Sequence, residues 1–352
     1  MERPKPFMSK YNKEEWGQLI DDNKLNNKEI ISNKKNNLVL DYIYLAKLLS
    51  SFAVVILHTN TSFGHFQINE YQKYWESCNL MISIFYFAVP FFVLCIGATL
   101  LNFNEKYEIK EYYKKRIKKV VIPLISWSAI LYYYKVYILK IMQKKKINFV
   151  YLWNLYYGHK INHIFYSLHG FLIIYMIIPL VAYVEKSKKI KIYFYCLTTL
   201  FLTQILAPYL IKILQPDLIW IYKINIDLTI YIFAGYIIQN YNFENKYKIL
   251  IYVIGIFGFF ILFYGTKILT LRYKKLIRIH LGYLNVPCVL YSCSLFLFIK
   301  ESSFYLLRKK NKKYISILGQ LTIGPFFIHY PIINTYNLIF KVDKYSIYYL
   351  SI

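Results

Sequence analysis

Apolar runs of about 18 residues or more, each long enough to cross a bilayer, recur along the chain. Nine stand out, at 38–59, 80–101, 120–139, 164–184, 192–214, 218–238, 249–268, 281–299 and 315–340. Between them lie short polar stretches rich in lysine. In lipid every backbone polar group must be satisfied within its own segment, so all nine are expected to be helices. The fifth and sixth are separated only by Gln215, Pro216 and Asp217, which predicts a tight helical hairpin. The aromatic stretch 149–157 is too short to span and suits the membrane interface, where tryptophan and tyrosine are at home. No repeat and no soluble domain is visible. The pattern predicts an all-α polytopic integral membrane bundle of about nine to ten transmembrane helices, with a polar tail at 1–37, a membrane domain at 38–340 and a short tail at 341–352.

Composition supports this class, since 57% of the 352 residues are hydrophobic and 20% aromatic. The formal charge of +26 has the size of a nucleic-acid signature. Its lysines, however, sit between apolar runs and not on one amphipathic surface, so no nucleic-acid partner is expected. Eight basic residues precede the first span and seven occupy 102–119. Basic loops stay inside, so a multi-pass protein of the cell membrane with a cytosolic N-terminus is expected. The tail carries no cleavable signal pattern, leaving the first span as the targeting signal. The five cysteines are odd in number and scattered, mostly within apolar runs. They read as small buried hydrophobes, with no disulfide framework or metal site suggested.

Candidate chemistry begins in the first span with Lys47 and His58. Eleven helical steps at 100° each leave them rotated by about 20° and roughly 16 Å apart, on one face. Ionisable groups inside a span are costly and point to a pathway, a partner or catalysis. The plainer account is that Lys47 snorkels to the interface and His58 caps the helix end.

The stretch from Lys47 to His58 resembles the opening motif of the family-3 membrane acyltransferases, a basic residue and a histidine separated by ten residues. In that motif lysine replaces the usual arginine, and Tyr44 stands where an acidic residue is common. Val89-Pro90 through Ile96-Gly97 resembles the family's second span. The basic block Tyr112 to Pro123 is similar to the entry to its third, with Arg116 keeping the first arginine, Lys119 replacing the second and Pro123 in place. His163, with His169 as the alternative register, matches a family histidine near an aromatic stretch. Gly235-Tyr236 resembles the end of a middle span. The stretch Leu318 to Pro331 resembles the penultimate one, with Gly324 and His329 retained, while Thr322 and Phe327 depart from it.

This resemblance implies transfer of an acyl group, most simply acetyl, from cytosolic acyl-CoA to a hydroxyl of a surface polysaccharide or lipid-linked sugar. The substrates would be acyl-CoA and a carbohydrate acceptor, in contact with membrane lipid and with no bound cofactor or metal. His58 would be the general base, since histidine alone there takes up a proton near neutral pH. Lys47 would steady the thioester carbonyl or the departing thiolate. Arg116 and Lys119 would hold the coenzyme phosphates, and His163 and His329 would orient acceptor or base. The family usually has ten spans against the nine read from the pattern. Two other readings stay open at this point: an inactive relative, and a transporter or flippase of a glycan pathway.

Overall fold

The computed structural model describes residues 41–60, 64, 72–138, 165–214, 228–306 and 309–339. They form ten helices and no strand. These are α1 (Asp41–Thr59), α2 (Tyr74–Glu105), α3 (Ile109–Ile138), α4 (Phe165–Ala182), α5 (Lys186–Leu214), α6 (Thr229–Asn240), α7 (Asn245–Tyr273), α8 (Val286–Leu306), α9 (Lys309–Gln320) and α10 (Ile323–Ile339). Five of them, α1, α2, α3, α5 and α7, are long and apolar enough to cross a bilayer. The all-α membrane bundle is as the hydrophobic pattern predicts. The hairpin at 215–217, the aromatic stretch 149–157 and both terminal tails lie outside the described residues.

Several boundaries differ from the apolar pattern, and proline accounts for most of them. A proline has no N–H to give the carbonyl four residues earlier, and its ring collides with that carbonyl. The ninth run is two helices: α9 ends at Gln320 and α10 starts at Ile323, with Pro325 in the first turn of the new helix, where its missing N–H costs least. Likewise α8 begins at Val286, with Pro287 second, and not at 281. In α2 the helix is interrupted at Tyr86 and Phe87, and the Cys288 thiol donates to the Tyr86 carbonyl that Pro90 leaves without a partner (3.8 Å). Pro123 in α3 and Pro208 in α5 each follow a widened π turn, Ile117–Val121 and Phe201–Leu206. In these turns an N–H reaches back five residues, from Ile122 to Ile117 and from Ala207 to Leu202, which keeps the ladder going past the ring.

At the centre stands α6, buried from Thr229 to Ile238. It crosses the second half of α2 (Ala88–Leu100) so closely that a Cβ on Gly97 would strike the carbonyl of Ile232, and one on Gly235 the carbonyl of Leu94. The two glycines face each other's helix, giving an antiparallel contact of backbone on backbone. Small residues at helix interfaces let dispersion act over short distances where lipid removes the hydrophobic drive between helices. A second such seam joins α7 to α8, where Gly255 abuts Ser294 and Gly258 abuts Pro287 and Tyr291.

One end of the bundle is tied by lysines. Buried Lys189 donates to the carbonyl of Leu101 (3.0 Å) and to Asn102 Oδ1 (2.9 Å), and Lys300 donates to the carbonyl of Ile238 (2.6 Å). Both carbonyls lie near the C-terminal ends of α2 and α6, where carbonyls have no helical partner and carry the negative end of the dipole. Ion pairs Lys312–Asp41 (2.6 Å) and Lys248–Glu301 (2.6 Å) lie at the same end. The polar stretches after α2, α4, α6 and α8 and the start of α1 thus share one basic end.

Candidate active site

α1 has α10 beside it, running in the same direction. Tyr44 packs on Gly319 at the end of α9, Ser51 donates to the carbonyl of Thr322 just before α10 (3.3 Å), and the rings of His58 and His329 lie 5.1 Å apart, centre to centre. α3 lies along α10 in that direction too. Trp127 stacks parallel on Phe327 at 5.8 Å, and the Tyr134 hydroxyl lies 2.7 Å from Thr335 Oγ1. Three parallel helices, brought together from the two ends of the chain, therefore frame the candidate residues.

At the level of α1's first turns sits a group of cations. Lys47 is within electrostatic reach of Arg116 and Lys119 across the gap to α3, and of the Cys95 thiol on α2. Among the described residues no ion pair involves these three cations. Lys119 is exposed and lies in the π turn that Pro123 requires, so the proline of the basic block shapes the backbone that carries its lysine. Arg116 is held more firmly. Its guanidinium lies 5.5 Å from the ring centres of both Tyr112 and Tyr175, a cation–π arrangement on two rings. Its Nε is buried with no hydrogen-bond partner among the described residues. A guanidinium pinned by its faces, with a donor still unused, can bind an oxyanion.

The placement of those two tyrosines follows from Pro179 inside α4. That proline leaves the Tyr175 carbonyl without its usual N–H, and the Tyr112 hydroxyl donates to it instead (3.0 Å). Tyr112 lies four residues before Arg116 on α3, so the bond brings the Tyr175 ring to the same guanidinium. Sequence reasoning does not single out either tyrosine. A proline inside an apolar helix, marking a freed carbonyl four residues earlier, is the signal that could have found them.

About 16 Å along α1 from Lys47, by helical rise, lies His58. It is exposed, whereas its neighbour His329 is 3% exposed with Nδ1 2.9 Å from the carbonyl of Pro325. Helix α1 thus keeps Lys47 and His58 apart, placing Lys47 with the arginine and His58 with the second histidine. His163 lies outside the described residues, and its alternative His169 falls in α4. His280, in the stretch before α8, belongs to a different cluster, with its Nδ1 2.7 Å from the Tyr209 hydroxyl. Burial, and then the Lys212 charge, hold its imidazole below the ordinary histidine range.

The acyltransferase family 3 profile, described as an acyltransferase domain, matches residues 40–351, nearly the whole chain. The chain belongs to acyltransferase family 3. Among curated proteins and solved structures no match is found. This membrane acyltransferase carries two of its family-like glycines, Gly97 and Gly235, far along the chain from each other, and the structure shows that they form one helix contact. They therefore serve the scaffold. Of the residues with candidate chemistry, Lys47, Arg116 and Lys119 form one group, between α1 and α3, and His58 and His329 another, between α1 and α10.

Proposed function

We propose that this acyltransferase moves an acyl group, acetyl in the simplest case, from cytosolic acyl-CoA to a hydroxyl of a surface polysaccharide or lipid-linked sugar at the cell membrane. The observation that carries the reading is the division along one helix: a group of three cations at the level of Lys47 on α1, and a histidine pair some 16 Å further along. Arg116, Lys119 and Lys47 grip the coenzyme phosphates from the basic end, which lies in the cytosol. The extended arm of the coenzyme then carries the thioester along α1 toward His58, with the Lys47 charge steadying the thioester region on the way. As the acceptor oxygen attacks the acyl carbon, the imidazole of His58 takes the hydroxyl proton. Collapse of the tetrahedral intermediate breaks the carbon–sulfur bond, and the thiolate recovers that proton. The products are the acylated sugar and the free thiol.

Mass spectrometry of surface glycans from cells with and without the gene tests the reaction. One O-acyl mass difference per modified sugar is expected, and its size names the acyl group. His58→Gln tests the mechanism, since it keeps polarity and approximate size but cannot act as a base. The expected loss is on the order of 10² to 10⁴ in rate, with insertion and amount unchanged. A Gln variant that acylates as fast as the unmodified protein, with chemistry rate-limiting, makes His58 a helix-end residue only. A cysteine introduced at Asn104 checks the orientation: labelling by an impermeant reagent in intact cells reverses it.

A further inference from the structure

We propose that the stretch 272–285, which joins α7 to α8, is an anion-binding strap where the acceptor enters, and that the acceptor is a glycan carrying a carboxylate or a diphosphate. This rests on the proposed function, in which donor and acceptor arrive from opposite ends of the bundle. α1 and α7 both start at the basic end, beside the ion pairs Lys312–Asp41 and Lys248–Glu301. The 29 helical residues of α7 reach roughly 40 Å from there, so the strap lies at the end toward which α1 runs from Lys47 to His58. Leu57, the neighbour of His58, shares one apolar cluster with Leu276 and Leu281 of the strap. Arg278 Nη2 comes within 3.7 Å of the Cβ position of Gly64, a few residues beyond His58.

From Lys267 to Asn285 the chain carries five basic residues and no acidic one. Short outer loops normally have few lysines and arginines, so this run opposes the orientation it sits in and calls for another use. Lys267 is taken up by Glu76 (2.8 Å), whereas among the described residues no ion pair involves Arg272, Lys274 or Lys275. These three and Arg278 are exposed. The dipole at the end of α7 favours a cation in its last turn, which covers Arg272 and Lys274 but not Arg278. Lys274 has φ 51°, a left-handed conformation in which glycine would be less strained. The strap is also firmly held. The Ile277 N–H donates to Thr270 Oγ1 (3.2 Å), Asn285 Nδ2 donates to the Ile279 carbonyl (2.8 Å), and the Tyr231 hydroxyl of α6 donates to the Tyr283 carbonyl. The His280 ring lies so close to α7 that a Cβ on Gly265 would come within 2.6 Å of it, and its Nδ1 meets the Tyr209 hydroxyl of α5. With its leucines packed and its cations exposed on a fixed backbone, the strap loses little freedom on meeting an oxyanion, which a carboxylate and a diphosphate both present.

Equilibrium binding to the full-length protein in nanodiscs of phosphatidylcholine, which has no net charge, tests this. The probes are hexagalacturonate for the carboxylate and farnesyl diphosphate for the diphosphate, with maltohexaose and farnesol as their neutral counterparts. At least one anionic probe should bind about 10-fold more tightly than its counterpart, with the margin shrinking as salt is raised, and the probe that does so names the anion. Lys274→Asn with Lys275→Gln should remove most of that margin, and asparagine suits the left-handed position, so the melt should not change. Lys274→Arg with Lys275→Arg should retain it. Equal binding of charged and neutral probes, or a margin untouched by the neutralised pair, overturns the proposal. So does a margin abolished by phosphatidylglycerol in the nanodisc, which makes the strap a lipid-headgroup contact. In membranes of cells that make the protein, transfer of label from acetyl-CoA to the glycan fraction should fall about 10-fold in the neutralised pair with the KM for acetyl-CoA unchanged. Unaltered transfer means that the strap does not serve the acceptor. Binding is read without chemistry, so a fully active His58→Gln removes the base and leaves the strap, whereas an inactive His58→Gln beside equal binding of charged and neutral probes leaves the base and removes the strap.

Discussion

Two regions of this bundle are built on opposite principles. In α2, 67% of the most apolar stretch is buried inside the protein, and in α3 only 22%. The α2–α6 centre is held by backbone lying on backbone, through Gly97 and Gly235. The α1–α3–α10 flank is held by side chains: a serine on a carbonyl, a tyrosine on a threonine, one stacked aromatic pair. Close backbone packing excludes everything, whereas side-chain bridges between parallel helices hold them in register and still leave His58 and Lys119 exposed. The dense region supplies rigidity, and the candidate residues lie on the more open one and not on the best-packed helices.

The sharpest way to break this comparison is Gly97→Ala. Its single added carbon meets the backbone of Ile232, which cannot rotate aside, so the cost should reach or exceed the roughly 1–3 kcal/mol usual for overpacking. Loss of folded protein in detergent, or a steep fall in Tm, is expected, and an unchanged melt means that the helices are not in contact there. Next in size is Arg116→Ala, which should raise the apparent KM for acyl-CoA about 10- to 100-fold, the worth of a charged hydrogen bond, and leave the melt unaltered. Normal donor dependence in a correctly inserted variant would reduce Arg116 to a positive-inside anchor. The smallest effect belongs to Gly324→Ala on the flank, where an added Cβ meets nothing within 4 Å. Since glycine costs a helix about 0.5–1 kcal/mol relative to alanine, this variant should melt at the same temperature or slightly higher, and a large drop would show the flank to be as tightly packed as the centre.

Much of the scaffold is legible in the amino-acid sequence. Apolar length alone locates α1, α2, α5 and α7, because lipid leaves the backbone no alternative to a helix. It fails where a helix boundary lies within continuous apolar sequence: nothing in the hydropathy of 315–340 separates α9 from α10, although Gly324-Pro325 does. It also starts α3 eleven residues late, since the basic entry from Ile109 reads as loop by hydropathy yet continues the same helix. Within the site, the common face of Lys47 and His58 follows from periodicity. The pairing of His58 with His329 and the cradle of Tyr112 and Tyr175 around Arg116 do not, because each joins helices far apart in the chain. Only Pro179 carries a local hint of the second.

The reciprocal glycine contact has a consequence for how this protein can change over generations. A bulky residue in a core is often rescued by a smaller one opposite it. At Gly97 the obstacle is the main chain of Ile232, and at Gly235 it is the main chain of Leu94, so no substitution on the facing helix makes room. Each position is confined by an atom that every amino acid possesses. Mutational tolerance at these two sites should therefore be close to nil in any sequence background that keeps this helix crossing.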